Sequence, residues 1–306
     1  MVLSFTGEFA FLRDLRVSAV KMFGVYMPRE IQIANAAGFC FGVKKAIQKA
    51  ETMDRAFIFG SLIHNPQEVA RLASLNKKIV HSLEEVEDNR VVITAHGLDI
   101  KVLGQMKDKG LEIIDTTCPL VTKIYNEGIK LQGQGLQIVI IGDPKHVEVK
   151  GIASRMNNPI IIYHEEDIEK VPQGSKVGVV CQSTLLMEKF DKFVALLKAH
   201  CSEVVTVNTI CKPTKDRQSA AASLSKQVDI MIVIGGRNSS NTHKLAETCE
   251  MNLPKATYHV ETAQELDSKW FEGKNKVGIT AGASTPDYLI EECIAKIRSY
   301  DSLVPA

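Results

Sequence analysis

One order of elements recurs three times along this chain, and each round starts from a cysteine. From Cys40, in "GFCFGVKKAIQKA", a helical apolar period (Val43, Ala46, Ile47, Ala50) leads into the strand-like run "AFIFG" and a polar end, "SLIHN", that carries His64. A second helical pattern (Val69, Leu72, Leu75) follows, then the run "RVVIT" and the polar end "AHG" with His96. From Cys118 come a helix (Val121, Ile124, Ile129), the strand "LQIVIIG", the polar end "DPKHVE", another helix and the strand "KVGVV" ending in "CQST". From Cys211 come the helix "DRQSAAASLSKQ", the strand "VDIMIVIGG", the polar end "RNSSN", a further helix and "KVGITAG" ending in "AST". The cysteines lie 78 and 93 positions apart, and the first polar ends (His64, His146, Ser240) follow them by 24, 28 and 29 residues. The second ends (His96, Ser183, Ser284) recur with comparable spacing.

Strands alternating with helices predict parallel α/β architecture, and a period near 90 is too long for a solenoid. The expected fold is therefore α/β, with three similar lobes in a pseudo-threefold, trefoil-like arrangement. The expected boundaries are 42–118 for the first lobe, 119–208 for the second, and 31–41 with 209–300 for the third. Functional groups of parallel sheets sit beyond the carboxyl ends of the strands, where all six polar ends fall. Lobes that turn those ends to one centre bring Cys40, Cys118 and Cys211 together, each ahead of a helix whose N-terminal amides favour a thiolate.

Composition narrows the choices. Thirty-seven basic against 36 acidic residues leave a net charge of +1, so no global field draws the protein to nucleic acid or an anionic membrane. Apolar runs such as "DIMIVIGG" are far short of the roughly 20 residues that span a bilayer. Seven cysteines without a CxxC pair fit a reducing, cytoplasmic setting. Residues 1–30 read as a dispensable extension or an early start; import into an organelle is the lesser reading, and Glu8 and Asp14 argue against a secretory signal.

Each candidate has a plainer explanation beside it. A lone cysteine is most often a small buried apolar residue, which is the reading of Cys201, Cys249 and Cys293; Cys181 ends a strand near the site but has no counterpart in the other lobes. Matching positions set Cys40, Cys118 and Cys211 apart, and three sulfur ligands suit zinc with an open position or an iron-sulfur cluster with one free iron. His64, His96, Ser239, Ser240, Asn241 and Ser284 are neutral donors at strand ends, suited to a phosphate or diphosphate, although "NSSN" alone reads as a helix cap. In "KHVEVKG", His146 and Glu148 share a face if the segment is extended, and a carboxylate there, with the hydroxyl of Ser183 or Thr184, suits proton delivery; the plainer alternative is a solvated loop pair. Neither GxGxxG nor a Walker loop is present, so nucleotide binding is not indicated.

From about Ile31 to Arg298 the sequence resembles the 4-hydroxy-3-methylbut-2-enyl diphosphate reductases, iron-sulfur oxidoreductases of non-mevalonate isoprene biosynthesis. "GFCFGVKKAI", "LIHN", "AHG", "DTTCPLVTK", "HVEVKG", "NSSN" and "GITAGASTPD" stand in that family's order. The resemblance implies three lobes around one 4Fe-4S cluster per subunit, held by Cys40, Cys118 and Cys211. It also implies reductive removal of the substrate's terminal hydroxyl as water, giving isopentenyl and dimethylallyl diphosphates. His64, His96, His146, Ser183, Ser239, Ser240, Asn241 and Ser284 would bind the allylic diphosphate; Glu148, His146 and Ser183 would serve catalysis. Two departures stand out: Ser183 replaces the threonine of "QTT", and "KHVEVKG" replaces "GHPEVEG", keeping the histidine and the glutamate. With no flavin or nicotinamide motif in the chain, electrons are expected from an external donor such as ferredoxin or flavodoxin. The rival expectations are a three-cysteine zinc hydrolase with Glu148 as base, and a cluster sensor or phosphometabolite-binding protein without catalysis.

Overall fold

The central strands are almost wholly apolar because parallel sheets are covered on both faces. This computed structural model describes residues 28–301 and shows three separate four-stranded parallel sheets. In the first lobe, β2 (Ala56–Phe59), β3 (Lys77–Val80), β4 (Arg90–Ile93) and β5 (Glu112–Asp115) lie in the order β3-β2-β4-β5. The second lobe orders β6 (Gln137–Ile141), β7 (Ile160–Ile162), β8 (Lys176–Cys181) and β9 (Glu203–Thr206) as β7-β6-β8-β9. In the third, β10 (Ile230–Ile234), β11 (Thr257–Val260) and β12 (Lys276–Ala281) are joined by β1 (Glu30–Ile33) from the start of the chain, as β11-β10-β12-β1. One order thus serves three sheets.

Each lobe begins with a helix entered from a cysteine: α1 (Phe41–Glu51) after Cys40, α4 (Pro119–Gly133) after Cys118 and α7 (Lys212–Ser225) after Cys211. A second helix follows the first central strand: α2 (Pro66–Ser74), α5 (Val147–Ala153) and α8 (Ser240–Glu250). A third follows the other central strand: α3 (Ile100–Asp108), α6 (Met187–His200) and α9 (Asp287–Asp301). Apolar clusters form on both faces of each sheet, as where Val139 and Phe193 lie on one side of the second sheet and Ile140 and Ile124 on the other. Each such side chain, fully buried, contributes about 1.5–3 kcal/mol.

Equivalent backbone hydrogen bonds fix the correspondence between lobes. Gly60, Gly142 and Gly235 each donate N–H to the last residue of the neighbouring edge strand, at 2.8, 3.0 and 2.9 Å. The cysteine amides donate to the same point of each preceding lobe end: Cys118 to Ala95 O at 2.9 Å, Cys211 to Ser183 O at 3.0 Å and Cys40 to Ala283 O at 3.1 Å. Counting from these bonds aligns His64, His146 and Ser239, and aligns His96, Thr184 and Ser284. This corrects the spacing argument, which pairs Ser240 and Ser183 instead; loops of unequal length shift that count by one residue.

The edge strands β3, β5, β7, β9 and β11 are absent from the two-strand reading of each lobe, because mixed sequences such as "KKIV" and "EIID" lack an apolar run. Leu75 and Ile129, assigned to apolar helix faces, are exposed. Residues 1–27 of the expected extension lie outside the described residues. At its boundary, Arg29 forms an ion pair with Asp301 at the end of α9, and Glu30 opens β1.

Candidate functional site

All three cysteine-bearing helix starts face one cavity where the lobes meet. Its wall includes Cys40, Cys118, Cys211, His64, His96, His146, Glu148, Ser183, Ser239, Ser240, Asn241 and Ser284, so every expected site residue reaches it. The remaining cysteines do not line it. Cys181, Cys249 and Cys293 are buried in core clusters, and Cys201 is half-buried at the edge of the one that holds Cys181. Cross-lobe hydrogen bonds hold the walls together: Ser284 Oγ donates to His64 O at 3.1 Å, Thr184 and Ser240 share a 3.1 Å hydroxyl contact, and Arg155 donates to Leu98 O at 2.7 Å.

Each of the three cysteines is the N-cap of its helix, yet none uses its side chain to cap it. The sulfurs are thereby left for another purpose. Gly42 keeps space beside one of them: a Cβ at this position would come within 2.7 Å of Cys118 Sγ. Thr214 touches Cys211 Sγ at 3.1 Å, a contact that no spacing signalled. The helix-end amides act in the expected direction, but burial outweighs them. Burial pushes the Cys118 and Cys211 thiols up, and nearby backbone N–H groups offset this only in part. A metal bound by these sulfurs would favour their thiolate form and release protons on binding. Among the described residues, no group of three His, Cys, Asp or Glu side chains is gathered tightly enough to hold a single ion. Three sulfurs lining one cavity from three helix starts, free of capping duty and with space kept beside one of them by Gly42, fit a larger inorganic unit held from three sides.

Three imidazoles form a second wall. His64 and His96 have ring centroids 4.4 Å apart, and His146 lies 5.5 and 5.8 Å from them. Burial holds all three below the ordinary histidine range, His146 at about 4, and repulsion from neighbouring imidazoles adds to it at His96 and His146. They are neutral donors at pH 7. His146 Nδ1 accepts from Glu148 N–H at 3.2 Å, so its Nε2 carries the proton. His64 Nε2, His96 Nδ1 and both amide atoms of Asn241 are buried without a partner, and buried polar atoms of that kind call for a ligand. Ser239 is the N-cap of α8, accepting from Thr242 N–H, so "NSSN" both caps a helix and faces the cavity.

Glu148 and His146 are not on a strand. His146 is the N-cap of α5 and Glu148 sits in its first turn, which still brings both to the cavity. The solvated-pair alternative falls with the burial of Glu148, 2% exposed. Its carboxylate accepts from Ser183 N–H at 2.6 Å and from Ser183 Oγ–H at 2.7 Å, while burial pushes its pKa up. A buried carboxyl joined to a hydroxyl can hold a proton and pass it on. Thr184, aligned with His96 and Ser284, completes the ring of donors; only the backbone hydrogen bonds of the cysteine amides reveal that equivalence.

Fold and site together define a trilobed parallel α/β protein built around a three-thiol centre with neutral donors for an anion. A family model described as LytB protein matches residues 31–298, and the chain belongs to this family. It is 46% identical over 271 residues to the 4-hydroxy-3-methylbut-2-enyl diphosphate reductase of a Nitratiruptor species, covering 88% of this chain and 98% of that protein. To the Geobacter sulfurreducens reductase it is 42% identical, over 89% of this chain and 98% of the relative. A solved (E)-4-hydroxy-3-methyl-but-2-enyl diphosphate reductase superposes with TM-score 0.66 at 38% identity, over 89% of this chain and 99% of the other. The Plasmodium falciparum reductase superposes with TM-score 0.82 at 27% identity, over 88% of each chain.

Proposed function

We propose that this protein is a 4-hydroxy-3-methylbut-2-enyl diphosphate reductase that removes the terminal hydroxyl of its allylic substrate as water, giving isopentenyl and dimethylallyl diphosphates. One observation carries the reading: three uncapped cysteine thiols at equivalent helix starts share a cavity with three neutral histidines and a buried carboxyl. Cys40, Cys118 and Cys211 would hold a 4Fe-4S cluster, which when bound supplies single electrons and a Lewis-acidic iron. His64, His96, His146, Ser239, Ser240, Asn241 and Ser284 would bind the diphosphate. Their N–H and O–H groups donate to its oxygens without presenting cationic side chains, and binding would satisfy unpartnered donors such as Asn241 Nδ2.

The reaction consumes two electrons and two protons, one proton leaving with the oxygen and one ending on carbon. Glu148 holds a proton more readily than an exposed carboxylate, and the Ser183 hydroxyl bridges it to the cavity. Protons thus come from groups within the site, while electrons come from outside, from a donor such as ferredoxin or flavodoxin working in the cytoplasm. Anaerobic purification followed by iron and sulfide analysis, and assay with the hydroxylated allylic diphosphate and reduced viologen, tests the reading. Brown protein that releases both products supports it. Colourless protein with one zinc, or loaded protein that binds without turnover, overturns it.

A further inference from the structure

Arg217 lies on α7 and is only 3% exposed. Its Nη1–H donates to Pro213 O at 3.0 Å, its Nη2–H donates to Gly38 O, and its Nε is buried with no partner. Pro213 is two residues past Cys211, and Gly38 is two residues before Cys40. One guanidinium therefore ties together two of the three thiol-bearing segments, which lie 171 positions apart in sequence.

Among the described residues no carboxylate forms an ion pair with Arg217. Its neighbour Asp216 is turned to solvent and is paired with Lys212 at 2.6 Å. Its two carbonyl contacts set it beside the segments that carry Cys40 and Cys211. Arginine stays charged in proteins, and a buried charge without compensation is strongly unfavourable. Two carbonyl contacts alone would be met by a neutral donor such as glutamine, so the charge itself calls for an anion.

We propose that Arg217 is the internal counter-cation of the iron-sulfur centre, a positioning residue that acts through the Cys40 and Cys211 segments and raises the centre's reduction potential. This rests on the reading of those thiols given above. Reduction adds one electron, delivered by an external reductant, to a buried unit that is already anionic; a fixed cation beside it favours the reduced state. Charge and burial around a cluster are among the properties that set its potential.

The test compares anaerobically loaded native protein with Arg217→Lys and Arg217→Met, titrated with dithionite and followed by the electron paramagnetic resonance of the reduced centre. The Met variant is expected to accept an electron at least about tenfold less readily, a shift of about 59 mV to more negative potential for one electron. The Lys variant is expected to stay near native, with native iron and sulfide per chain. Failure of Met to load while Lys loads also supports the need for charge. A Met variant at native potential overturns the proposal, as does a Lys variant displaced as far as Met or loss of the centre from both. Native protein that takes up no iron and sulfide would instead defeat the underlying reading of the thiols.

Discussion

Cys118 and Cys249 are the same residue type with different surroundings: one lines the central cavity at a helix start, the other is fully buried against Leu245 and Ala246. Replacing Cys40, Cys118 or Cys211 by Ser is expected to abolish iron and sulfide uptake together with turnover. Cys249→Ser is expected to keep both and to lose about 1–3 kcal/mol of stability by burying a hydroxyl. Iron content and thermal melts on all four variants check this, and equal loss of iron in all four would contradict it. Glu148→Gln keeps the side-chain shape but cannot deliver a proton. Turnover is expected to fall about 10²–10⁴-fold with colour and substrate binding retained, and near-normal turnover would remove Glu148 from the proton path. At this scale the sequence was informative: each cysteine, histidine and serine singled out by its place in the repeat reaches the cavity. Thr214 and Arg217 gave no such signal, because a threonine and an arginine in the first turns of a helix are ordinary surface residues until the fold buries them.

Helix starts organise the site at the scale of elements. Each cysteine amide is tied to the loop end of a neighbouring strand, and α1 and α4 approach so closely at Gly42 that a methyl group would strike Cys118 Sγ. In an exposed helix Gly→Ala is stabilising by roughly 0.5–1 kcal/mol. Gly42→Ala is expected to do the reverse for the centre, lowering iron per chain even where the melting temperature holds; unchanged iron content would show that Cys118 moves aside freely. Central strands were legible as unbroken apolar runs, since both of their faces are covered. Edge strands such as β3 and β5 were not, since one side of each is open to solvent or loop and their sequences mix charge with apolar residues. His146 and Glu148 show the same limit: alternate positions suit a strand, yet helix geometry at α5 brings both to the cavity.

Across the whole molecule, three lobes place three imidazoles in one buried cluster, and this has a consequence for stability. His64, His96 and His146 are held neutral in the folded state, whereas in the unfolded chain they protonate near pH 6.5. Between pH 6.5 and about 4, where His146 begins to charge in place, the unfolded state binds more protons, so stability falls as pH falls. Urea midpoints of the metal-free protein are expected to drop more steeply over this range than those of His96→Asn, and parallel curves would refute the coupling. The sequence by itself determined the fold class, the threefold repeat and which residues end the central strands, because apolar periodicity and chain order are local properties. Only the tertiary structure decided which residues of different lobes are equivalent, how the thiols lose solvent, and how a buried arginine comes to bind two of their segments. Those depend on distances between segments as remote as Gly38 and Arg217, which no local pattern encodes.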